Sequence, residues 1–309
     1  MTAPPRPLLR LVALALATAC AHGVGGARSG PDPVVSDPAQ VDASFPPSID
    51  GLAVPSGTAL LNGVVYVANG PGPHPVAILL HGFPGDEQNG DLAHALRRAG
   101  WDVLLFHYRG SWGSPEDFSF QHALEDVDAA VDLARSAAFA RAFRADPARI
   151  VLVGHSMGGF LALTVASERA DVRCAGSLAG ANLGLFGLAA ADPKQRTQIE
   201  QGFAAALRPI HGATLAGLVD ELVANAEPFD PTRRAPALAG RPLLLVAGAR
   251  DDVTPPAVHH DPLAAALRAA GATQVDAVVL DSDHAFSGAR IALAHALVEW
   301  LERSCLGRP

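Results

Sequence analysis

Strand-length apolar runs recur along this chain, and most are followed by a segment of helical periodicity. "HPVAILL", "DVLLF", "RIVLVG", "VRCAGSLAG", "RPLLLVAGAR" and "QVDAVVLDSD" read as strands. An unbroken run such as Val76 to Leu80 needs cover on both faces, because successive strand residues point to opposite sides. Helices are predicted for "LAHALRRAGW", "HALEDVDAAVDLARSAA", "GGFLALTVASER", "PLAAALRAAG" and "ARIALAHALVEWLER". In the second of these, Leu124, Val127, Val131 and Leu133-Ala134 fall at helical spacing. Such alternation predicts an α/β fold, a mostly parallel, doubly wound sheet with helices on both faces. Right-handed crossovers then bring the strand C-termini to one edge, where such sheets place their ligands. Ahead of these runs, "GTALLNGVVYVANG" alternates around Asn62-Gly63 and predicts a hairpin. From about 182 to 237 the alternation breaks into Ala- and Leu-rich helical sequence, too long for a crossover. It is predicted to be a helical insertion lying over the strand edge as a lid.

The loops leaving the strand ends are "HGFPGDEQN", "YRGSWGSPEDF", "GHSMGG", "GARDDVTPP" and "DSDHAFS". They hold most of the chemically interesting residues. Gly154-x-Ser156-x-Gly158 stands between a buried strand and a helix, as a nucleophile elbow requires. The tight turn strains the serine backbone, and the two glycines let neighbouring backbone approach. A serine hydroxyl needs an adjacent base, and that base needs an orienting acid. Both follow in the order Ser, Asp, His, each just after a strand: Asp251 in "GARDDVTPP" and His284 in "DSDHAFS". Asp252 is expected to point away or to cap the next helix. Asp281 and Asp283 are expected to be loop residues, too near His284 in sequence to reach its far ring nitrogen. Two backbone N–H groups, those of Phe83 and Met157, are the expected oxyanion donors. His81 is assigned a structural hydrogen bond beneath the first loop, and His155 is assigned to packing. The adjacent pair His259-His260 is read as solvated or helix-starting rather than metal-binding.

The N-terminus reads as a targeting segment. Residues 1–20 carry Arg6 and Arg10, then a Leu/Ala run too short to span a bilayer, then Ala17-Thr18-Ala19-Cys20. Lipidation at Cys20 and ordinary signal-peptide cleavage both fit that ending, so the expected location is periplasmic, outer-membrane-tethered through Cys20, or secreted. Residues 21–47, rich in Gly, Pro, Ser and Asp, read as a flexible linker to a domain spanning 48–309. Export makes pairing of Cys174 with Cys305 chemically open, alongside two separate thiols. With 49% hydrophobic and 17% charged residues, the chain has ample material for a core. A formal net charge of −8 without a basic cluster argues against a nucleic-acid partner.

Taken together, "LLHGFPG", "FHYRGSWGSP", "VGHSMGG", "VAGARDDVTP" and "DHAFS" resemble the α/β-hydrolase superfamily. The "HYRGSWGS" loop is similar to the Arg-Gly-Ser loop of prolyl-oligopeptidase-type catalytic domains and their single-domain relatives. The likeness runs from about residue 50 to 303, without the N-terminal β-propeller of true prolyl oligopeptidases. It implies Ser156, Asp251 and His284 as nucleophile, acid and base, with oxyanion amides at Phe83 and Met157. No metal or organic cofactor is implied. Arg109 is expected in a buried ion pair with Asp126 or Asp86, and Trp112 and Phe118 are candidate pocket residues. The expected activity is cleavage of carboxylic esters through an acyl-enzyme on Ser156. Peptidase or aminopeptidase action on short peptides is the alternative, and a catalytically silent binding protein on the same scaffold is the rival from another class.

Overall fold

The computed structural model describes residues 30–306, so the expected signal segment and residues 21–29 of the expected linker lie outside the described residues. Eight strands form one sheet: β1 (Ser48–Ser56), β2 (Ala59–Val67), β3 (His74–Leu80), β4 (Asp102–Phe106), β5 (Ala145–His155), β6 (Val172–Leu178), β7 (Leu243–Gly248) and β8 (Val275–Leu280). Their spatial order is β1-β2-β4-β3-β5-β6-β7-β8. β1 pairs antiparallel with β2, and β2 with β4; the remaining pairs are parallel. The helices between and after the strands are α1 (Gly90–Arg98), α2 (Phe120–Arg135), α3 (Ala137–Phe143), α4 (Met157–Glu168), α9 (Pro256–Ala269) and α10 (Arg290–Trp300).

The apolar runs divide residue by residue between two cores. Val76, Ile78 and Leu80 of β3 join α2, α4 and α9 through Val127, Phe160 and Leu267. Ala77 and Leu79 join α1 and α10 through Leu92, Leu96, Leu293 and Leu297 on the other face. This is the double cover that an unbroken apolar strand demands.

The hairpin forms, but not around Asn62-Gly63. Ser56 pairs with Ala59, so the turn lies at Gly57-Thr58, with Gly57 at φ 56°. Asn62-Gly63 sits inside β2 instead. There the missing side chain matters for packing: a Cβ on Gly63 would stand 3.2 Å from the Leu105 carbonyl oxygen of β4. Asn62 also accepts from the His107 N–H with its carbonyl, which extends the strand contact.

Between β6 and β7 the chain forms α5 (Leu183–Ala190), α6 (Pro193–Ala204), α7 (Leu215–Ala224) and the short α8 (Ala235–Leu238). The sequence starts them in the usual way, with Asn182, Asp192 and Thr214 side chains accepting from first-turn amides of α5, α6 and α7. This segment touches the loops at the strand C-termini. Trp112 N–H donates to the Pro209 carbonyl, His211 N–H to Gly110, and the Phe83 and Phe203 rings lie 5.2 Å apart. Among the described residues no helix is long and apolar enough to cross a membrane.

Residues 30–47 contain no helix or strand, yet they are fastened to the domain. Arg98 donates to the Pro33 and Val34 carbonyls, Arg144 to that of Pro46, and the Arg144 guanidinium lies over the Phe45 ring. Cys174 of β6 and Cys305, just past α10, form a disulfide with Cα atoms 6.0 Å apart.

That bond closes a chain separation of 131 residues, for which loop-closure entropy implies up to about 5 kcal/mol of stabilisation. The Cys174→Ser/Cys305→Ser pair of substitutions is expected to lower the denaturation midpoint under oxidising conditions and to leave the reduced protein nearly unchanged. Denaturant unfolding with and without reductant measures this.

Candidate active site

Ser156 joins β5 to α4 with φ 56° and ψ −119°, a conformation that residues with a side chain rarely adopt. It is held there by its surroundings. Its N–H donates to the Leu178 carbonyl (2.9 Å), and its carbonyl accepts from Gly159 and Ala181 (both 3.0 Å). The glycines explain themselves sterically: a Cβ on Gly154 would fall on the Gly158 carbonyl, and one on Gly158 would fall on the Leu80 carbonyl. Only bare backbone lets α4 begin this close to β3 and β5.

Asp251 and His284, the expected acid and base, come from the loops after β7 and β8. Asp251 is 5% exposed, and its Oδ2 lies 2.8 Å from His284 Nδ1. Asp251 Oδ1 accepts from the N–H groups of Val253 (2.9 Å) and Thr254 (2.8 Å). The Thr254 hydroxyl lies 2.7 Å from Asp251 Oδ2, 3.0 Å from the Ala179 carbonyl and 3.2 Å from His284 Nδ1. Burial pushes the Asp251 carboxyl up, but the hydrogen bonds from His284 and Thr254 outweigh it and leave the pKa at about 2. An ionised Asp251 accepts only, so His284 Nδ1 carries the proton and Nε2 is left as the basic nitrogen. Among the described residues the Ser156 hydroxyl makes no hydrogen bond, to His284 Nε2 or to any other group. Asp252 is exposed and does not cap α9, whose N-cap is Pro255. Asp281 pairs with Arg250, and Asp283 accepts from Ser287 N–H.

The loop after β3 runs past the serine: a Cβ on Gly82 would stand 3.0 Å from Ser156 Cβ. Phe83 follows directly, and Met157 is the first residue of α4, where amides lack intrahelical acceptors. Among the described residues neither the Phe83 nor the Met157 N–H has an acceptor. The loop is anchored from below. His81 Nδ1–H donates to the Gly82 carbonyl (2.7 Å), Tyr108 hydroxyl to the His81 carbonyl (2.9 Å), and Trp112 Nε1–H to the Pro84 carbonyl (2.8 Å). Burial holds the His81 imidazole at a pKa of about 3, hence neutral. Phe118 is buried against Phe83 and Phe120. Arg109 faces inward, with Nε 2.6 Å from Asp126 Oδ1 and Nη2 2.6 Å from Glu125. Asp126 also accepts from Ser56, so the guanidinium is spent within the fold.

Several participants carry no sequence signal. His155 is buried as packing would have it, but its Nε2–H also donates to the His284 carbonyl (2.8 Å), with the two rings 4.8 Å apart. Thr254 braces both acid and base. An apolar groove of about 560 Å³ lies between α5, α6 and the start of α9, lined by Phe186, Ile199, Phe203, Val253, Val258 and His259 among others. None of Ser156, Asp251, His284, Phe83 and Met157 lines it, but two of its residues neighbour theirs: Val253 is two residues from Asp251, and the Phe203 ring lies 5.2 Å from that of Phe83. Trp112 and Phe118 do not line it.

Comparison with known proteins gives a consistent picture. The model of the alpha/beta hydrolase family matches residues 77–296. An uncharacterised protein of Mycobacterium tuberculosis is 34% identical over 110 residues, 35% of this chain and 37% of that one. Among solved structures, an acylaminoacyl peptidase of Pyrococcus horikoshii superposes with TM-score 0.65 at 17% identity, over 85% of this chain and 42% of the peptidase. An esterase of Pyrococcus furiosus superposes with TM-score 0.59 at 18% identity, over 88% of this chain and all (100%) of the esterase. A puromycin-hydrolysing peptidase of Mycobacterium tuberculosis gives TM-score 0.62 at 22% identity, over 86% of this chain and 40% of the peptidase. Likeness at these identities is likeness of fold.

Two outcomes follow from the geometry. Gly158→Ala is expected to lose about 1–3 kcal/mol or more, since its methyl group meets backbone that cannot swing aside; thermal unfolding reads the loss. Asp251 holds its proton more weakly when folded than when unfolded, so its stabilisation is present above the usual carboxylate pKa of 3.8 and is lost as pH falls toward 2. The stability gap between wild type and Asp251→Asn is therefore expected to be wider near about pH 7 than near about pH 3, measured by urea unfolding.

Proposed function

We propose that this chain, which belongs to the alpha/beta hydrolase family, is a serine hydrolase of carboxylic esters working through an acyl-enzyme on Ser156. The observation that carries the reading is the Asp251–His284 hydrogen bond of 2.8 Å, tied through His155 and the His284 carbonyl to a serine held at φ 56° on an elbow. In the mechanism, His284 Nε2 takes the Ser156 proton as Oγ attacks the ester carbonyl. Asp251 stabilises the imidazolium that forms. The Phe83 and Met157 amides receive the oxyanion, each contributing on the order of a hundredfold in rate. His284 then protonates the departing alkoxide, and water, deprotonated by the same nitrogen, releases the acid.

An ester substrate is favoured by the apolar groove whose Phe203 packs on Phe83, a surface that suits an acyl chain. The esterase of Pyrococcus furiosus, spanned in full by this domain, lends the same weight. In this reading the helices between β6 and β7 act as the lid of that groove. Peptide cleavage is the second reading, supported by the two peptidases of similar fold. We place the enzyme outside the cytoplasm, tethered through Cys20 or free. The Cys174–Cys305 disulfide supports this, being of a kind that persists in oxidising compartments.

A fluorophosphonate probe is expected to label the wild type and not Ser156→Ala, and that substitution should lower kcat by about a million-fold, as in other serine hydrolases with an intact triad. Asp251→Asn should cost on the order of ten-thousand-fold, and Asp252→Asn little. Turnover of p-nitrophenyl acyl esters well above that of aminoacyl and prolyl p-nitroanilides is the expected ranking. Turnover of the anilides alone would reverse it.

A further inference from the structure

The groove holds one buried polar side chain, and its chemistry is already set. His259, in the first turn of α9, is 7% exposed and stacks on Phe186 with ring centroids 5.7 Å apart. Its Nδ1 accepts from the Asn182 N–H at 3.0 Å. A backbone N–H can only donate, so Nδ1 is unprotonated and the proton sits on Nε2. Burial lowers the imidazole pKa, which keeps this tautomer neutral. Among the described residues Nε2–H has no acceptor. It is also not a sealed, orphaned atom of the kind found at the neighbouring His260 Nε2. The polar groups otherwise lining the groove, the side chains of Gln195 and Gln198, are exposed and sit at its rim.

We infer that His259 is a specificity-determining donor that selects acyl groups bearing a hydrogen-bond acceptor, such as a ketone or ether oxygen, partway along an otherwise apolar chain. A plain alkyl chain fills the same groove but leaves the Nε2–H without its partner, which a buried donor tolerates poorly. Ser156 carbonyl accepts from Ala181 and His259 accepts from Asn182, both at 3.0 Å, and adjacent residues are separated by about 3.8 Å. The nucleophile's backbone and the His259 ring are thus held by two successive amides, which places the ring on the same side of the strand edge as the elbow.

The inference rests on the ester reading, and the test separates the two. p-Nitrophenyl octanoate and a positional series of oxo-octanoate esters are compared on the full chain, with active sites counted by fluorophosphonate titration. One oxo position is expected to raise kcat/KM about tenfold over the plain ester, the scale of one well-made hydrogen bond. His259→Phe, which keeps the stack on Phe186, should flatten the series, while His259→Gln, which keeps an N–H donor, should retain part of the peak. Because the readout is a ratio within each protein, loss of folded material does not imitate it. A flat series in the wild type, or a peak unchanged in His259→Phe, overturns the assignment of His259. Absence of turnover of every ester in the series overturns the ester reading and this inference with it.

Discussion

Everything at the strand edge depends on how closely α4 begins against the ends of β3 and β5. The Gly158 Cα sits where a methyl group would collide with the Leu80 carbonyl, and Gly154 is pressed against Gly158 in turn. That contact does two things at once. It forces Ser156 into positive φ, which lifts the side chain clear of both elements. It also fixes the spacing between the Ser156 turn and the loop that starts at His81, where a Cβ on Gly82 would stand 3.0 Å from Ser156 Cβ. A strained residue survives only where its neighbours over-determine it. Here three hydrogen bonds to its own peptide groups, from or to Leu178, Gly159 and Ala181, supply that constraint.

The acid and the base lie on loops, which are ordinarily the more mobile parts of a fold. Both loops are made stiff by buried hydrogen bonds that are expensive to leave unmade. Thr254 links Asp251 to the Ala179 carbonyl just beyond β6, so the acid is referenced to a strand neighbouring its own. His155 links the elbow to the His284 carbonyl, so the base is referenced to the nucleophile's own strand. The arrangement of Ser156, Asp251 and His284 is therefore braced by Thr254 and His155. The Arg109–Asp126–Ser56 network plays the same part for the loop after β4, and for that reason its charge is not on offer to a ligand.

Much of this was legible in the chain because it is written locally. Unbroken apolar runs announce strands buried on both faces, and the order Ser156, Asp251, His284 after successive strands announces where a triad would lie. What was not legible depends on partners distant in sequence. Asn62-Gly63 carries a strong turn signal, yet the turn formed at Gly57-Thr58 because β4 needs a strand neighbour without a side chain at Gly63. Thr254 resembles any threonine before a helix until Ala179 is seen beside it. Cys174 and Cys305 are 131 residues apart, and nothing local says that the end of the chain returns to β6. The groove is built from α5, α6 and α9 together, so no single motif could encode it.

The histidines show how the backbone, rather than the side chain, decides chemical role. His81 and His155 each give a ring N–H to a carbonyl, of Gly82 and of His284, and so present an unprotonated nitrogen on their other side. His284 does the same toward a carboxylate, which leaves its Nε2 unprotonated. His259 alone among these four is approached by an N–H, and its free nitrogen is consequently a donor. Burial pushes the pKa of His81, His155 and His259 down, so protonation does not blur the distinction near neutral pH. Four identical side chains near one edge of a sheet thus become three acceptors and one donor, with the difference set by which backbone or carboxylate group stands behind each ring.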